Sequence, residues 1–190
     1  MADRLTKIVT RGGDSGETSL GDGSRRAKFD PRVALLGDFD ELNSWIGVVR
    51  SHSIDAGVDA TLEGVQHDLF DLGGTLSFPG TPLLTEDHVK RLDEKATALN
   101  DSLPPLKDFV LPGGAPSVAW LHVARTVCRR VERNATAFFE DSDEPEENVI
   151  HARAYLNRLS DYLFGASRFE ARSSDIGEII WEKAKSIGGM

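Results

Sequence analysis

The chain has 190 residues, a length that fits one domain with tails. Hydrophobic residues make up 39% and charged residues 28%, enough for a packed core and against global disorder. Thirty-one acidic against 22 basic residues give a net charge of -9, which argues against a broad nucleic-acid or anionic-membrane surface while leaving room for a local basic site.

One cysteine, Cys128, excludes an intramolecular disulfide framework and a cysteine-rich zinc site, and it fits a reducing cytoplasm. The N-terminal MADRLTKIVTRGG has no apolar core of a secretory signal, and no stretch approaches the ~18 apolar residues of a membrane span. The expectation is a cytoplasmic protein without a nucleic-acid or membrane partner.

Residues 1–29 read as irregular. Gly12, Gly13, Gly16, Gly21 and Gly23 crowd together with Asp14, Thr18, Ser19 and Asp22, a composition of loops. Such an arm is either a floppy tail or a ligand-binding loop. Asp30-Pro31 then marks a helix start, followed by Val33, Leu36, Leu42, Trp45, Ile46 and Val49 at helical spacing to about Ser53. A second helix is expected over roughly 60–76, stopped by Phe78-Pro79-Gly80. A third begins at the cap Thr85 and ends before Pro104-Pro105. Phe109-Val110-Leu111-Pro112-Gly113-Gly114 is a loop apolar enough to be packed upon. A fourth helix spans roughly 116–139 and, after the acidic linker at 140–145, a fifth spans roughly 146–171. A short amphipathic tail carries Ile176, Ile179, Ile180 and Trp181 and is either a lid or a docked helix. The pattern predicts an all-α bundle of five helices with a Gly-rich N-terminal arm, divided as 1–29, 30–171 and 172–190.

Chemistry concentrates on helix four. At ~100° per residue, Arg125, Arg129, Glu132 and Arg133 share one stripe bordering the apolar face of Leu121, Ala124, Cys128, Val131, Ala135 and Phe139. Guanidiniums held at such a border repel one another unless an anion arrives, and their planar fork suits phosphate. The stripe is either a polyphosphate site or a salt-bridged flank. The arm, with Thr10, Arg11, Gly12, Gly13, Asp14, Gly16, Thr18 and Ser19, offers amide and hydroxyl donors, yet it is no Walker A loop. Arg153, Asn157 and Asp161 line one strip of helix five, where Asn157 could hold a base or ribose or stand exposed. Asp40 and Glu41 could pair with a helix-four arginine, within the chain or across an interface. The histidines form no HExxH or ExxH pattern, so each reads as a surface or satisfied core residue.

The arm TRGGDSGETSLGDGSRRAK, then DELNS, FVLPGG, ARTVCRRVER and YLNRLSDYLF, in that order from about Leu5 to Ala171, resemble the PduO-type ATP:cob(I)alamin adenosyltransferases. One departure is Gly12-Gly13-Asp14 where the family has Thr-Gly-Asp. The resemblance implies a ferritin-like five-helix bundle of the cobalamin adenosyltransferase kind, assembled as a homotrimer with active sites between subunits. It implies ATP contacts from Thr10, Arg11, Gly12, Gly13, Asp14, Thr18, Ser19 and Lys28 of the arm. On the helices it implies contacts from Arg129, Arg130, Glu132, Arg133 and Asn157, with Mg²⁺ on the ATP phosphates near Glu132. Asp40 is similar to a carboxylate that pairs with the arginine matching Arg125 of the adjacent subunit, and Phe109 to an aromatic facing the corrin ring. The implied activity is transfer of the 5′-deoxyadenosyl group of ATP to cob(I)alamin, with Arg129, Arg125 and Asp40 as catalytic residues and a Co(II) reductase and an adenosylcobalamin-dependent enzyme as partners. A carrier that hands over adenosylcobalamin without making it is the alternative, and a helical nucleotide hydrolase or kinase the third reading.

Overall fold

A computed structural model describes residues 9–78 and 84–187. Five helices form the body: α1 (Pro31–Arg50), α2 (Ala56–Ser77), α3 (Glu86–Ser102), α4 (Pro116–Glu140) and α5 (Glu146–Ser173). The predicted bundle is therefore present, with differences at the ends. Helix α1 starts where Asp30 accepts from the Arg32 amide at 2.8 Å and stops at Arg50, where the Ser51 hydroxyl takes the Val48 carbonyl at 2.7 Å and the His52 amide turns to the Val49 carbonyl at 3.1 Å. Helix α2 starts four residues earlier than expected, because Asp55 caps it by accepting from the Gly57 and Val58 amides. Helix α5 runs two residues beyond Ala171. Phe78 closes α2, whereas Pro79 and Gly80 lie outside the described residues.

The apolar periodicity becomes one core. Leu35, Phe39, Leu42, Ile46 and Val49 of α1 are buried against Leu62, Val65, Leu69 and Leu72 of α2 and against Leu121, Cys128 and Val131 of α4. Tyr155, Leu156, Leu159 and Leu163 of α5 complete it. Each such fully buried large side chain contributes about 1.5–3 kcal/mol. Helix α1 packs on α2 and α4, α4 on α5, and α5 on α3. Helix α3 buries only Leu92 fully, so polar contacts help to dock it. The buried carboxylate of Asp68 accepts from Arg91 of α3 and from the Tyr155 hydroxyl at 2.5 Å, and Arg158 meets Asp93 at 2.8 Å.

The expectation of an irregular arm is corrected. Strands β1 (Glu17–Ser19) and β2 (Arg25–Ala27) pair antiparallel, with Thr18 opposite Arg26. The turn between them closes through the Leu20 amide on the Ser24 carbonyl at 2.9 Å and through Asp22, which accepts from the Ser24 amide at 2.8 Å. The hairpin is anchored at its tip, where the Asp22 amide donates to the Ser77 carbonyl at 3.2 Å. The C-terminal tail is likewise not an amphipathic helix. It runs extended beside the apolar loop after α3, with Val110 bridged antiparallel to Ile180, and ends in a single 3₁₀ turn at Lys185–Ile187. The loop is paired with the tail along its backbone, while Phe109 and Leu111 keep exposed side chains.

Candidate active site

The arginine stripe lies where the helical pattern puts it. Arg125 and Arg129 project from successive turns of α4 into a cleft of about 610 Å³. Its other walls are Ser160, Asp161 and Phe164 of α5, the loop residues Leu106–Val110, and Trp181 of the tail. The cleft joins two guanidiniums to three aromatic rings. Phe109 and Trp181 meet edge to face at 6.3 Å, and the Arg125 guanidinium lies over Phe164 at 5.7 Å from the ring centre.

The charge state of this cleft is unusual. Arg125 is half-buried and its Nε has no hydrogen-bond partner. Burial and the neighbouring Arg129 both push its pKa below the ordinary value, although a guanidinium stays protonated at any working pH. Arg129 and Arg133 make no ion pair or hydrogen bond among the described residues. Like charges at i and i+4 oppose each other, so the stripe favours an incoming anion.

Other predicted residues are placed differently. Arg130 turns to the α1 side and ion-pairs with Glu41, whose carboxylate it holds below the usual range. It does not join the unpaired stripe in this conformation. The carboxylate and helix-four arginine that pair within the chain are thus Glu41 and Arg130. Glu132 and Asn157 do meet: the Asn157 amide donates to Glu132 at 3.2 Å, while Arg158 donates to the Asn157 oxygen at 3.0 Å. Arg153 of the same strip is bound to Glu140 at 2.6 Å. Cys128 is buried, donates to the Leu156 carbonyl, and has its thiol pKa pushed up by burial, so it is inert core.

In the arm, residues 11–16 form a tight turn. The Asp14 amide reaches the Arg11 carbonyl and the Gly16 amide the Gly13 carbonyl, with Arg11 at φ 59, a value uncommon for a side-chain-bearing residue. The Gly12 amide reaches the Thr10 hydroxyl at 3.4 Å. Arg25 donates to the Gly12 carbonyl at 2.9 Å and to Ser19 and Glu17, tying the turn to the hairpin. The Lys28 ammonium lies over Gly13 so closely that a Cβ there would stand 3.1 Å from it. A folded turn under an ammonium that makes no hydrogen bond or ion pair among the described residues is a small anion cradle. Thr18 is half-buried and Ser19 exposed on β1.

Within a single chain the arm stands apart from the arginine cleft. Among the described residues, no hydrogen bond or ion pair joins the arm to α4 or α5. Asp40 lines a separate cleft of about 780 Å³ with Gly21, Phe70, Gly73 and Phe78, on the α1–α2 side. The residues expected to act together are thus divided between two faces of the molecule.

Of the two further aromatic rings lining the cleft, the sequence reading missed Phe164 and had Trp181 only on a tail that was either a lid or a docked helix. Phe164 follows Asn157 and Asp161 at i+7 and i+3, so the same strip could have found it. Trp181 is placed by backbone pairing with the loop, which side-chain periodicity does not encode. His122 also departs from expectation: it is 2% exposed and both ring nitrogens are unpartnered, against Phe164 at 6.3 Å. Burial first, and Arg125 second, push its pKa down to about 4, so it is neutral. Among the described residues, no cluster of three or more metal-ligating side chains occurs, and no helix is long and apolar enough to cross a membrane.

Comparison with known proteins gives one consistent result. Residues 8–170 match the family described as cobalamin adenosyltransferase. A cobalamin adenosyltransferase of Cupriavidus metallidurans is 45% identical over 97% of this chain and 99% of its own. A corrinoid adenosyltransferase of Bacillus subtilis is 40% identical over 95% of each. A phenylalanine-to-alanine variant of a PduO-type ATP:corrinoid adenosyltransferase from Lactobacillus reuteri, complexed with cobalamin and ATP, superposes with a TM-score of 0.82 at 33% identity, over 93% of this chain and all of that one. An arginine-to-lysine variant of the PduO-type enzyme from the same organism, complexed with ATP, gives 0.81 at 34%, over 92% of this chain and all of that one. The match spans arm, bundle and most of the tail at once, and on it the chain belongs to the cobalamin adenosyltransferase family.

Proposed function

We propose that this protein transfers the 5′-deoxyadenosyl group of ATP to the cobalt of a reduced corrinoid, releasing triphosphate. The observation that carries this reading is the cleft in which the cations Arg125 and Arg129, without carboxylate partners among the described residues, face a wall of Phe109, Phe164 and Trp181. A flat apolar macrocycle and a polyanion are the two ligand classes such walls fit.

Cob(I)alamin is a strong nucleophile, so the protein needs no nucleophile of its own. Both electrons of the new Co–C bond come from Co(I), the C5′–O5′ bond breaks, and its electrons leave with the triphosphate. The protein's work is to hold C5′ in line with cobalt and to stabilise charge on the leaving group. Arg129, Arg133 and Lys28 supply positive charge. The turn at 11–16 supplies amides and, with Thr10, Thr18 and Ser19, hydroxyls. Asn157, oriented by Glu132 and Arg158, suits the nucleoside. Mg²⁺ would travel with the nucleotide, bound mainly by phosphate oxygens, with Glu132 as a protein carboxylate at hand.

The second task is to make Co(II) reducible. Phe109 is 78% exposed into the cleft, an apolar surface that can keep a lower axial ligand off cobalt. Asp40 and Arg125 serve best as a pair formed between copies, since neither makes a hydrogen bond or ion pair in its own chain among the described residues. The assembly we propose is the family's homotrimer, in a reducing cytoplasm, supplied by a Co(II) reductase and serving an adenosylcobalamin-dependent enzyme.

The test is a spectral assay for adenosylcobalamin with ATP, Mg²⁺ and a chemical reductant, with triphosphate identified as co-product. Arg129→Ala is expected to lower kcat by about 10²–10³-fold, the usual effect of removing one preorganised charge-stabilising donor. Binding of adenosylcobalamin without its formation would identify a carrier, and ADP or phosphate as product would identify a hydrolase or kinase.

A further inference from the structure

Two chain segments carry aromatic walls of the corrinoid cleft and neither belongs to a helix. Phe109 stands on the loop after α3, and Trp181 on the C-terminal tail. They are stitched together by the Leu111 amide on the Ile179 carbonyl and the Trp181 amide on the Phe109 carbonyl, both at 2.8 Å. Two extended segments joined by a single β-bridge would swing as a flap.

One helix side chain reaches both segments of the flap. Arg168 of α5 is 6% exposed. Its Nε donates to Glu178 at 2.7 Å, three residues before Trp181, and its terminal nitrogen donates to the Pro104 carbonyl at 2.9 Å, five residues before Phe109. Among the described residues, no other helix side chain hydrogen-bonds to both segments; Arg172 adds an ion pair to the second Glu178 oxygen at 3.7 Å. Arg168 lies one helical turn beyond Phe164, on the face that forms the cleft floor, so the same face of α5 sets both the fixed aromatic wall and the moored one.

We propose that Arg168 is a positioning residue for the adenosyl transfer. Its divergent donors clasp loop and tail to α5 and so set where Phe109 and Trp181 stand relative to the Arg125–Arg129 stripe. The inference rests on the transferase reading. Lysine cannot reproduce the clasp, because a single ammonium replaces a planar fork that reaches two acceptors. The nucleotide contacts proposed on the arm, on α4 and at Asn157 of α5 make no bond to Arg168, Glu178 or Pro104, so loss of the clasp should fall on the corrinoid side alone.

The experiment compares wild type, Arg168→Lys and Glu178→Gln, each checked for helicity by far-UV circular dichroism. Backbone hydrogen exchange without ligand is expected to speed about tenfold at the Leu111 and Trp181 amides while core amides of α1 and α4 stay protected. The KM for cob(I)alamin should rise about tenfold with the KM for ATP within about twofold, and the spectral signature of four-coordinate Co(II) should weaken. Glu178→Gln tests the clasp from the tail if Arg168→Lys fails to fold. Unchanged exchange at those two amides overturns the proposal, as does faster exchange with an unaltered corrinoid KM and Co(II) spectrum. An inactive wild type would strike the transferase reading, leaving the exchange rates to decide the clasp.

Discussion

At the scale of single residues, the site depends on positions that hold others. Gly21, at the hairpin tip, has no room for a side chain: a Cβ there would collide with the Phe78 ring, while the neighbouring Asp22 amide holds the Ser77 carbonyl. Gly21→Ala should therefore lift the hairpin off α2, raising the KM for ATP several-fold while the corrinoid KM stays unchanged, a split read directly from steady-state kinetics. His122 makes a different prediction. Its native pKa is about 4, against about 6.5 for an unperturbed imidazole. As pH falls through 6.5 the unfolded chain takes up a proton that the native state refuses until about pH 4. Stability tied to this group is thus complete above pH 6.5 and declines towards pH 4. Urea denaturation of wild type against His122→Leu should show the stability difference shifting by on the order of 2–3 kcal/mol in favour of the variant between pH 7 and 4.5. A constant difference would mean that His122 titrates normally.

At the scale of elements, legibility follows the origin of the order. The helices were readable because burial against one core repeats Leu35, Phe39, Leu42, Ile46 and Val49 with the helical period, and because Asp30-Pro31 and Thr85 mark starts. The arginine stripe was readable for the same reason, whereas the meeting of Asn157 with helix four came only from the family resemblance, because periodicity does not say which helices pack together. The hairpin was not: its strands are three residues each, and their pairing is stabilised by Arg25 reaching back to Gly12 and by the anchor on Ser77, contacts that local composition cannot show. The tail was not, because backbone pairing with the 109–111 loop, rather than a buried stripe, decides its path. That path gives Phe109 a defined seat against Trp181. Phe109→Ala is expected to slow adenosylation started from Co(II) by at least about tenfold while ATP affinity stays nearly constant, because the lost wall opens the lower face of cobalt to a ligand. Equal rates from Co(II) for variant and wild type would remove the wall from the mechanism.

At the scale of the whole molecule, the division of the site decides what the functional unit is. One half consists of the arm and the Asp40 cleft, the other of Arg125, Arg129 and the aromatic walls, and no hydrogen bond or ion pair links the arm to α4 or α5 among the described residues. If a site works within one chain, the arm must swing across the molecule. If it forms between copies, each subunit lends its arm to one neighbour and its cleft to the other, the head-to-tail contact that closes a ring. The two cases separate without a structure. Gly21→Ala combined with Lys28→Ala disables the first half, and Arg129→Ala the second. Co-expressed in equal amounts and purified as mixed oligomers, the two inactive variants would place an intact arm against an intact cleft at about one site in four, so activity should recover to about a quarter of wild type. Sites confined to one chain would recover nothing in the mixture, because every chain then carries a broken half.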